Sequence, residues 1–528
     1  MTEKTRIQVS DIKVAYREDE FDYDAEAIHK AASYIVKKTG ARPYELHISK
    51  KSIDARRDIT FVYSVYAEID GKIKKTDPSI RVYSEENPDI VRGSVKMQYR
   101  PIIIGFGPAG MFAGLLLAEN GYAPIILERG SSVDERAKAV EKFIRDGVLD
   151  TNTNIQFGAG GAGTFSDGKL TTRINDPLAA YVIRRLYEMG APEDVLYKAK
   201  PHIGTDILRE VVKNIDKKIR SLGGEIHYKT VAENIGDGRL SVDGEALPFD
   251  ALVLATGHSA RDTYGELIRS GFSVEAKPFS VGVRAEHLQS DIDKALLGHH
   301  AGDKSLGRGE YQLSFRKGER GCYTFCMCPG GTVVPSASEE GGVVTNGMST
   351  HARDGINANA AVCVSVLPED FGGDATKAIE FQRQLERAAF VSGGRNYYAP
   401  MMTVGDFLSG KSGTEPSKIL PSYRGGLVTP ADFDRIFPAF VTGMLREGLH
   451  DFGKKIKGYD DDAVVLTGVE TRTSAPLRIL RDDGFTAIGR NKIYPCGEGA
   501  GYAGGIVSAA VDGIRVARTI IAKYAPIM

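Results

Sequence analysis

A glycine-rich turn between an apolar run and a helix pattern constrains this chain most. Residues 105–110 read G-x-G-x-x-G; a strand-like apolar run precedes them, a helix pattern follows, and a second apolar run ends in Glu128. A dinucleotide-binding βαβ unit needs these parts in this order, with Gly105 for the tight turn, Gly107 for close approach of a pyrophosphate and Gly110 for helix–strand packing. The sequence therefore predicts an α/β domain that binds a dinucleotide.

Glu128 favours this interpretation over its alternative, a glycine-rich turn in an α/β domain without a ligand. It lies 18 residues after Gly110, a reach that suits an acid bound to a ribose diol. The free N–H groups and the positive dipole end at the start of the helix would bind the phosphates.

Composition bounds the class of protein. A length of 528 residues predicts two or three domains, and 68 Lys and Arg against 69 Asp and Glu give no net field that favours nucleic acid. Five cysteines, an odd number, do not form a disulfide framework and suit a reducing compartment. The first residues lack the apolar core of a signal peptide, and no apolar run is long enough to span a membrane. We expect a cytoplasmic protein.

The strand and helix patterns divide the chain into four segments. We predict an α/β, Rossmann-like domain with a mainly parallel sheet and a small antiparallel hairpin layer, interrupted by an inserted, mainly antiparallel β domain and preceded by an α+β domain, ferredoxin-like or similar. Residues 50–57 are a basic run, interpreted as a solvated loop or as a docking segment, and residues 84–88 are a plausible linker. The boundaries are 1–95 for the N-terminal domain, 96–276 and 418–528 for the nucleotide-binding domain, and 277–417 for the insertion.

A second formal G-x-G-x-x-G occurs at residues 158–163. No convincing strand precedes it and no helix pattern follows it, so we reject it as a second nucleotide fold. We predict instead a flexible loop whose backbone lies against a flat ligand such as a flavin ring.

Three segments together, residues 105–128, 252–257 and 493–506, resemble the FAD-binding flavoproteins of the glutathione-reductase and fumarate-reductase type. More narrowly, the chain is similar to a family of uncharacterised bacterial and plastid FAD-dependent dehydrogenases. The segments that carry this narrower resemblance are 324–331, 346–349, 354–359 and 468–474. They indicate a family but not a substrate.

The resemblance implies a set of FAD-binding residues. Glu128 would bind the adenosine ribose, the Val231 backbone would contact the adenine, and Glu498 would reach the ribityl or phosphate region. Most relatives in the wider superfamily have Asp where this chain has Glu498, which is one methylene longer. The complete predicted set is Gly105, Gly107, Pro108, Ala109, Gly110, Glu128, Arg129, Gly163, Lys169, Val231, Ala255, Thr256, Gly257, Gly497, Glu498, Gly504, Gly505 and Ile506.

Two cations are candidates for chemistry beyond the flavin. Lys169 would reach flavin N5 or a substrate anion, and Arg472 would bind an anionic substrate or a nicotinamide phosphate, with a structural ion pair as its alternative. His258 would sit near the pyrophosphate or cap a local helix. Cys322, Cys326 and Cys328 would form a thiol relay or pack in a loop, Cys496 would be a small buried residue, and His351 and Arg353 would line a pocket of the insertion. No zinc-type ligand spacing occurs, so we expect no metal.

These patterns predict an FAD-dependent oxidoreductase that transfers hydride or electrons at flavin N5 to or from a small-molecule substrate. Since only one nucleotide fold has all its parts, NAD(P)H as a donor would have to approach transiently through the insertion. An organic substrate and a protein partner are equal alternatives as the donor. The alternatives are a flavin-dependent hydroxylase or oxidase, and a non-catalytic flavin-binding scaffold or sensor that docks through its N-terminal unit. The oligomeric state stays open.

Overall fold

The computed structural model describes residues 4–55, 58–71, 77–83 and 87–527. Its described residues form two compact units, one from Met1–Pro88 and Lys169–His202 and the other from Asp89–Gly168 and Ile203–Met528. The N-terminal unit therefore recruits a segment that we had assigned to the nucleotide-binding domain.

The elements are as follows. The strands are β1 (Lys4–Ala15), β2 (Tyr44–Asp54), β3 (Thr60–Asp70), β4 (Ile80–Val82), β5 (Val95–Lys96), β6 (Ile102–Ile104), β7 (Ile125–Leu127), β8 (Glu225–His227), β9 (Glu233–Gly236), β10 (Arg239–Val242), β11 (Glu245–Pro248), β12 (Leu252–Leu254), β13 (Val274–Ala276), β14 (Phe279–Leu288), β15 (Ser314–Lys317), β16 (Arg320–Cys328), β17 (Thr332–Pro335), β18 (Thr345–Met348), β19 (Asn357–Val366), β20 (Ala399–Thr403), β21 (Val428–Pro430), β22 (Val465–Glu470), β23 (Leu477–Ile479), β24 (Ile493–Pro495) and β25 (Tyr524–Ala525). The α-helices are α1 (Tyr23–Thr39), α2 (Pro108–Glu119), α3 (Val133–Asp146), α4 (Leu178–Glu188), α5 (Thr205–Ser221), α6 (Arg261–Arg269), α7 (Gln289–Leu297), α8 (Ala375–Ser392), α9 (Val404–Ser409), α10 (Ala439–Lys455) and α11 (Ile506–Lys523).

The first unit contains an antiparallel sheet in the order β2-β3-β1-β4, the order of a ferredoxin-like split βαβ sheet. Helix α1 begins where the Asp22 carboxylate accepts the amides of the first turn, and its apolar side is buried. The prediction of a loop for the basic run is wrong for residues 50–54. These residues belong to β2 and pair with β3. Arg56 and Arg57, and residues 84–86 of the predicted linker, lie outside the described residues.

The second unit contains a parallel sheet in the order β24-β12-β6-β7-β8. Its three central strands, β12, β6 and β7, are short and almost wholly buried, as their unbroken apolar sequences predict. Strands β9 to β11 form a separate three-stranded antiparallel layer. Helices α2 and α11 pack against each other through Gly513, where an added Cβ would lie 2.2 Å from the Ala109 carbonyl oxygen.

The insertion is built on a seven-stranded, mainly antiparallel sheet in the order β15-β16-β19-β14-β22-β20-β21. Its last strand in the chain, β22, pairs with β14 and ends at Glu470. The sheet continues past the boundary predicted at residue 417, because β21 and β22 belong to it. Glycine-rich turns on both sides of residue 417 hide this from the sequence.

Among the described residues, no helix combines the length and the apolar character that a membrane crossing requires.

Candidate cofactor site

Three turns meet at one edge of the parallel sheet. Because β6, β12 and β24 are parallel neighbours, the turns that follow them leave from the same edge. Gly105 has φ 98°, and an added Cβ would lie 2.5 Å from the Ala255 carbonyl oxygen. At Gly499 an added Cβ would lie 1.8 Å from the Thr256 carbonyl oxygen. The turns pack backbone against backbone, so the three distant segments predicted to share a ligand are adjacent.

Space remains at the glycines expected to face that ligand. An added Cβ on Gly257, Gly504 or Gly505 would meet nothing within 4 Å. At Gly107 the nearest atom would be the Cα of Gly161, 3.7 Å away. The packing of the chain therefore does not require glycine at these positions. Glycine there leaves room for a ligand to lie close to the backbone.

Two helices begin at this edge without caps. Gly107 precedes α2 and Gly505 precedes α11; neither helix has a side-chain cap bond or an acid in its first turn among the described residues. The unpaired N–H groups and the positive dipole ends therefore favour an anion. A pyrophosphate matches this arrangement.

Glu128 is buried beside the first turn. Its Oε2 accepts from the Phe106 amide at 2.8 Å, and its Oε1 accepts from the amides of Gly130 and Gly158, each at 2.9 Å. A carboxylate has about four lone-pair positions, so capacity for a hydroxyl remains. The Thr230 amide donates to the Glu128 carbonyl oxygen at 2.9 Å, which brings the segment carrying Val231 alongside Glu128.

Arg136 binds the second glycine-rich loop, a contact that the sequence patterns do not predict. It is fully buried, and its guanidinium donates five hydrogen bonds of 2.7–3.2 Å to backbone carbonyls of residues 154–161. Burial lowers the pKa of Arg136, and the nearby Glu128 carboxylate opposes that shift. The sequence does carry a signal for a buried Arg136. The buried face of α3 consists of Val133, Arg136, Val140 and Phe143, so a cation occupies an apolar position of an amphipathic helix.

The loop that Arg136 holds contacts both halves of the site. The Gly160 amide donates to the Phe106 carbonyl oxygen at 2.8 Å. At Gly163 an added Cβ would lie 3.1 Å from Cγ1 of Ile506, so these two predicted cofactor residues are neighbours. Since its backbone is bonded to a buried side chain and most of its residues are buried, the loop differs from the flexible one that we predicted.

Arg129 and the C-terminal turn are each fixed by a partner. The Arg129 guanidinium lies 4.7 Å from the Phe157 ring centroid and donates to Asp262 at 2.8 Å. The Gly497 amide donates to Asp512 at 2.7 Å, and Arg481 forms a buried ion pair with the same carboxylate. Cys496 is buried, as predicted, and burial raises its pKa well above the usual range.

Arg472 lies in a buried charge cluster. Its guanidinium donates to Glu386 at 2.7 and 2.9 Å, and Arg261 donates to the same carboxylate at 2.8 Å through two nitrogens. Burial alone would raise the pKa of Glu386; the two guanidiniums outweigh burial and hold it far below its usual range. This geometry favours the structural alternative for Arg472 over an anion-binding role.

Lys169 lies in the first unit, where its backbone forms an isolated bridge with His202. Its role at the flavin stays a prediction. His351 and Arg353 are engaged within the second unit, His351 with the Ile203 carbonyl oxygen at 3.2 Å and Arg353 with Asp167 and Glu310.

The cysteines form no disulfide. Cys322 is buried where an added Cβ on Gly448 of α10 would touch it, and burial raises the pKa of its thiol to about 12. A protonated thiol is a poor nucleophile, so packing accounts better for Cys322 than a thiol relay does.

Comparison with known proteins supports the fit of FAD. Residues 278–473 match the model of a family described as FAD-dependent protein, C-terminal domain-like. With this match and the site described above, the chain is an FAD-dependent flavoprotein. It belongs to the same family as an uncharacterized protein of Clostridium beijerinckii, which is 47% identical over 495 residues that cover 91% of this chain and 92% of that protein.

Solved structures resemble the chain only weakly. CtdE in complex with FAD is 11% identical with a TM-score of 0.29, over 79% of this chain and 82% of that one. The tetrameric form of 2-methyl-3-hydroxypyridine-5-carboxylic acid oxygenase is 13% identical with a TM-score of 0.28, over 79% and 80%.

Proposed function

We propose that this protein is an FAD-dependent oxidoreductase of the dehydrogenase type, within the glutathione-reductase and fumarate-reductase-like superfamily. One observation carries the proposal: two uncapped helix starts, a buried ribose-type acid and open glycine surfaces meet at one edge of a parallel sheet. An extended dinucleotide matches these features: its ribose would meet the acid, and its central pyrophosphate would meet the helix starts and the open glycines.

The chain's own residues would bind and orient the cofactor. Glu128 would accept the ribose hydroxyls, and the start of α2 would hold the pyrophosphate. Gly504, Gly505 and Ile506 would bring the start of α11 to the carbonyl edge of the flavin, where its positive end stabilises negative charge. Bound FAD supplies the centre, N5, that takes up or gives a hydride or electrons.

The insertion would select a small-molecule substrate, and NAD(P)H would reduce the flavin as a transient donor. Because the five cysteines, all within the described residues, form no disulfide, a reducing compartment such as the cytoplasm is part of the proposal. Lys169 would act at the flavin or on a substrate anion.

The test is reduction of the purified protein's flavin. NADH and NADPH are mixed with the holoprotein, without and with oxygen, and the loss of flavin absorbance is followed by stopped flow. Reduction that is unchanged in rate by oxygen supports a dehydrogenase. Rapid oxygen consumption by the reduced protein favours the hydroxylase or oxidase alternative. A chain that is purified without flavin and takes up no added FAD would overturn the proposal.

A further inference from the structure

His258 and Glu498 form a pair that joins two of the three turns. His258 follows the turn after β12, Glu498 follows β24, and the imidazole Nδ1 lies 3.0 Å from Glu498 Oε1. His258 is 9% exposed. Helix α6 begins after Ala260 without a side-chain cap bond, so the local capping role predicted for His258 is wrong.

The two residues of the pair differ in burial and in the contacts that remain open to them. Nε2 of His258 is buried and has no hydrogen-bond partner among the described residues, so Glu498 is the one polar contact of the ring. The Glu498 side chain is 27% exposed, and within the described part of the chain no group donates to its Oε2. One oxygen lies 3.0 Å from the imidazole Nδ1, and the other accepts no hydrogen bond from the described residues.

Two further ionisable groups lie near Glu498. Lys277, at the end of β13, interacts with it electrostatically; burial and then Arg478 lower the pKa of Lys277, and Glu498 opposes them. Tyr264 lies close by, and its hydroxyl donates to the Gly499 carbonyl oxygen at 2.6 Å.

We propose that His258 is a positioning residue that holds the Glu498 carboxylate so that its free oxygen binds a hydroxyl of FAD. The inference rests on the proposed FAD site and assigns to it a residue outside the predicted cofactor set. It also explains the departure at this position: Glu is one methylene longer than Asp, and the extra length lets the carboxylate meet the imidazole. An Asp here would retract from His258.

Four single variants and one double variant of the full-length holoprotein test the proposal. His258→Leu keeps volume without a donor, and His258→Asn keeps a donor near the position of Nδ1. Glu498→Gln removes the charge, and Glu498→Asp shortens the side chain. The dissociation constant for FAD is measured from the recovery of flavin fluorescence on serial dilution, and thermal unfolding verifies that each variant is folded.

We expect His258→Leu, Glu498→Gln and Glu498→Asp each to weaken FAD binding about tenfold or more, the worth of one hydrogen bond to a charged group. His258→Asn should stay within about threefold of the parent protein. The double variant His258→Leu/Glu498→Gln should be no more than about twofold weaker than Glu498→Gln alone, because His258 acts through that carboxylate.

Three results would overturn the proposed role of His258. His258→Leu binding FAD better than His258→Asn would make His258 a packing residue. Effects that multiply in the double variant would make the two residues independent. Unchanged affinity in all variants, with the parent protein still binding FAD, would remove the pair alone, whereas a parent protein that does not bind FAD would overturn the proposed function itself.

Discussion

The two glycine-rich loops of the cofactor site have similar sequences but are held in different ways. Residues 105–110 connect β6 to α2, and local strand–turn–helix geometry determines their shape. Residues 158–163 join no such elements; Arg136 binds their carbonyls, and Glu128 binds the Gly158 amide. A glycine pattern therefore does not identify a nucleotide fold until the elements around it are known. The second loop depends on the Arg136 side chain, whereas the strand and helix on either side shape the first, so substitutions should disrupt the two loops in different ways.

The largest effect on FAD retention should come from Gly107→Val. Its side chain would enter the space that the chain leaves open beside Gly107, so FAD binding should be abolished while the unfolding free energy changes by less than about 1 kcal/mol. Flavin absorbance and urea unfolding measure the two quantities. Gly110→Ala is the contrasting control, because its Cβ would lie 2.0 Å from the Gly105 carbonyl oxygen and should destabilise the fold as well. A fully flavinylated Gly107→Val protein would contradict the assignment of the first turn.

Arg136→Met should break the second loop. Five carbonyls lose a charged donor, so we expect the free energy of unfolding to fall by about 3 kcal/mol or more, and FAD binding to weaken at least about tenfold. Urea unfolding and FAD titration measure both effects. Arg145→Met, on the same helix with a 73% exposed side chain, should change stability by less than about 0.5 kcal/mol. Equal effects of the two substitutions would mean that the loop does not need Arg136.

A smaller effect should follow where the second loop meets the C-terminal motif. Gly163→Ala places a Cβ 3.1 and 3.3 Å from Cγ1 and Cδ1 of Ile506, so FAD binding should weaken about twofold to threefold. Ile506→Val in the same chain removes Cδ1 and should restore part of the affinity in the same titration. If the affinity for FAD does not recover, the contact with Ile506 is not the cause of the weaker binding.

Lys169→Ala should change FAD retention least. We expect FAD content to equal that of the parent protein and the rate of flavin reduction by nicotinamide to fall about tenfold, because a cation expected near N5 is lost. Stopped-flow reduction measures the rate, with Lys200→Ala, a second lysine of the Lys169–His202 segment, as the matched control. Unchanged kinetics would remove Lys169 from the site.

A related difference explains which features of the molecule can be predicted from its sequence. The first turn, Glu128 and the buried strands are predicted because each rule that they follow spans fewer than about thirty residues. The contacts of His258 with Glu498 and of Arg472 with Glu386 depend on which distant segments become neighbours. Arg136 lies within 25 residues of the carbonyls that it binds, but no sequence rule connects a buried cation of a helix with a later loop. The continuation of the insertion's sheet past residue 417 is missed because the place of β22 is fixed by pairing with β14, far earlier in the chain.

The packing of α11 on α2 has a consequence for the order of events during synthesis. The last strand of the parallel sheet, β24, and the helix that follows it come from the final tenth of the chain, yet they complete a structure begun near residue 102. A ribosome-bound chain that stops before Ile493 lacks one of the three turns and one of the two helix starts. Because the site needs β24 and α11, truncation before Ile493 should yield colourless protein even where most of the polypeptide has folded.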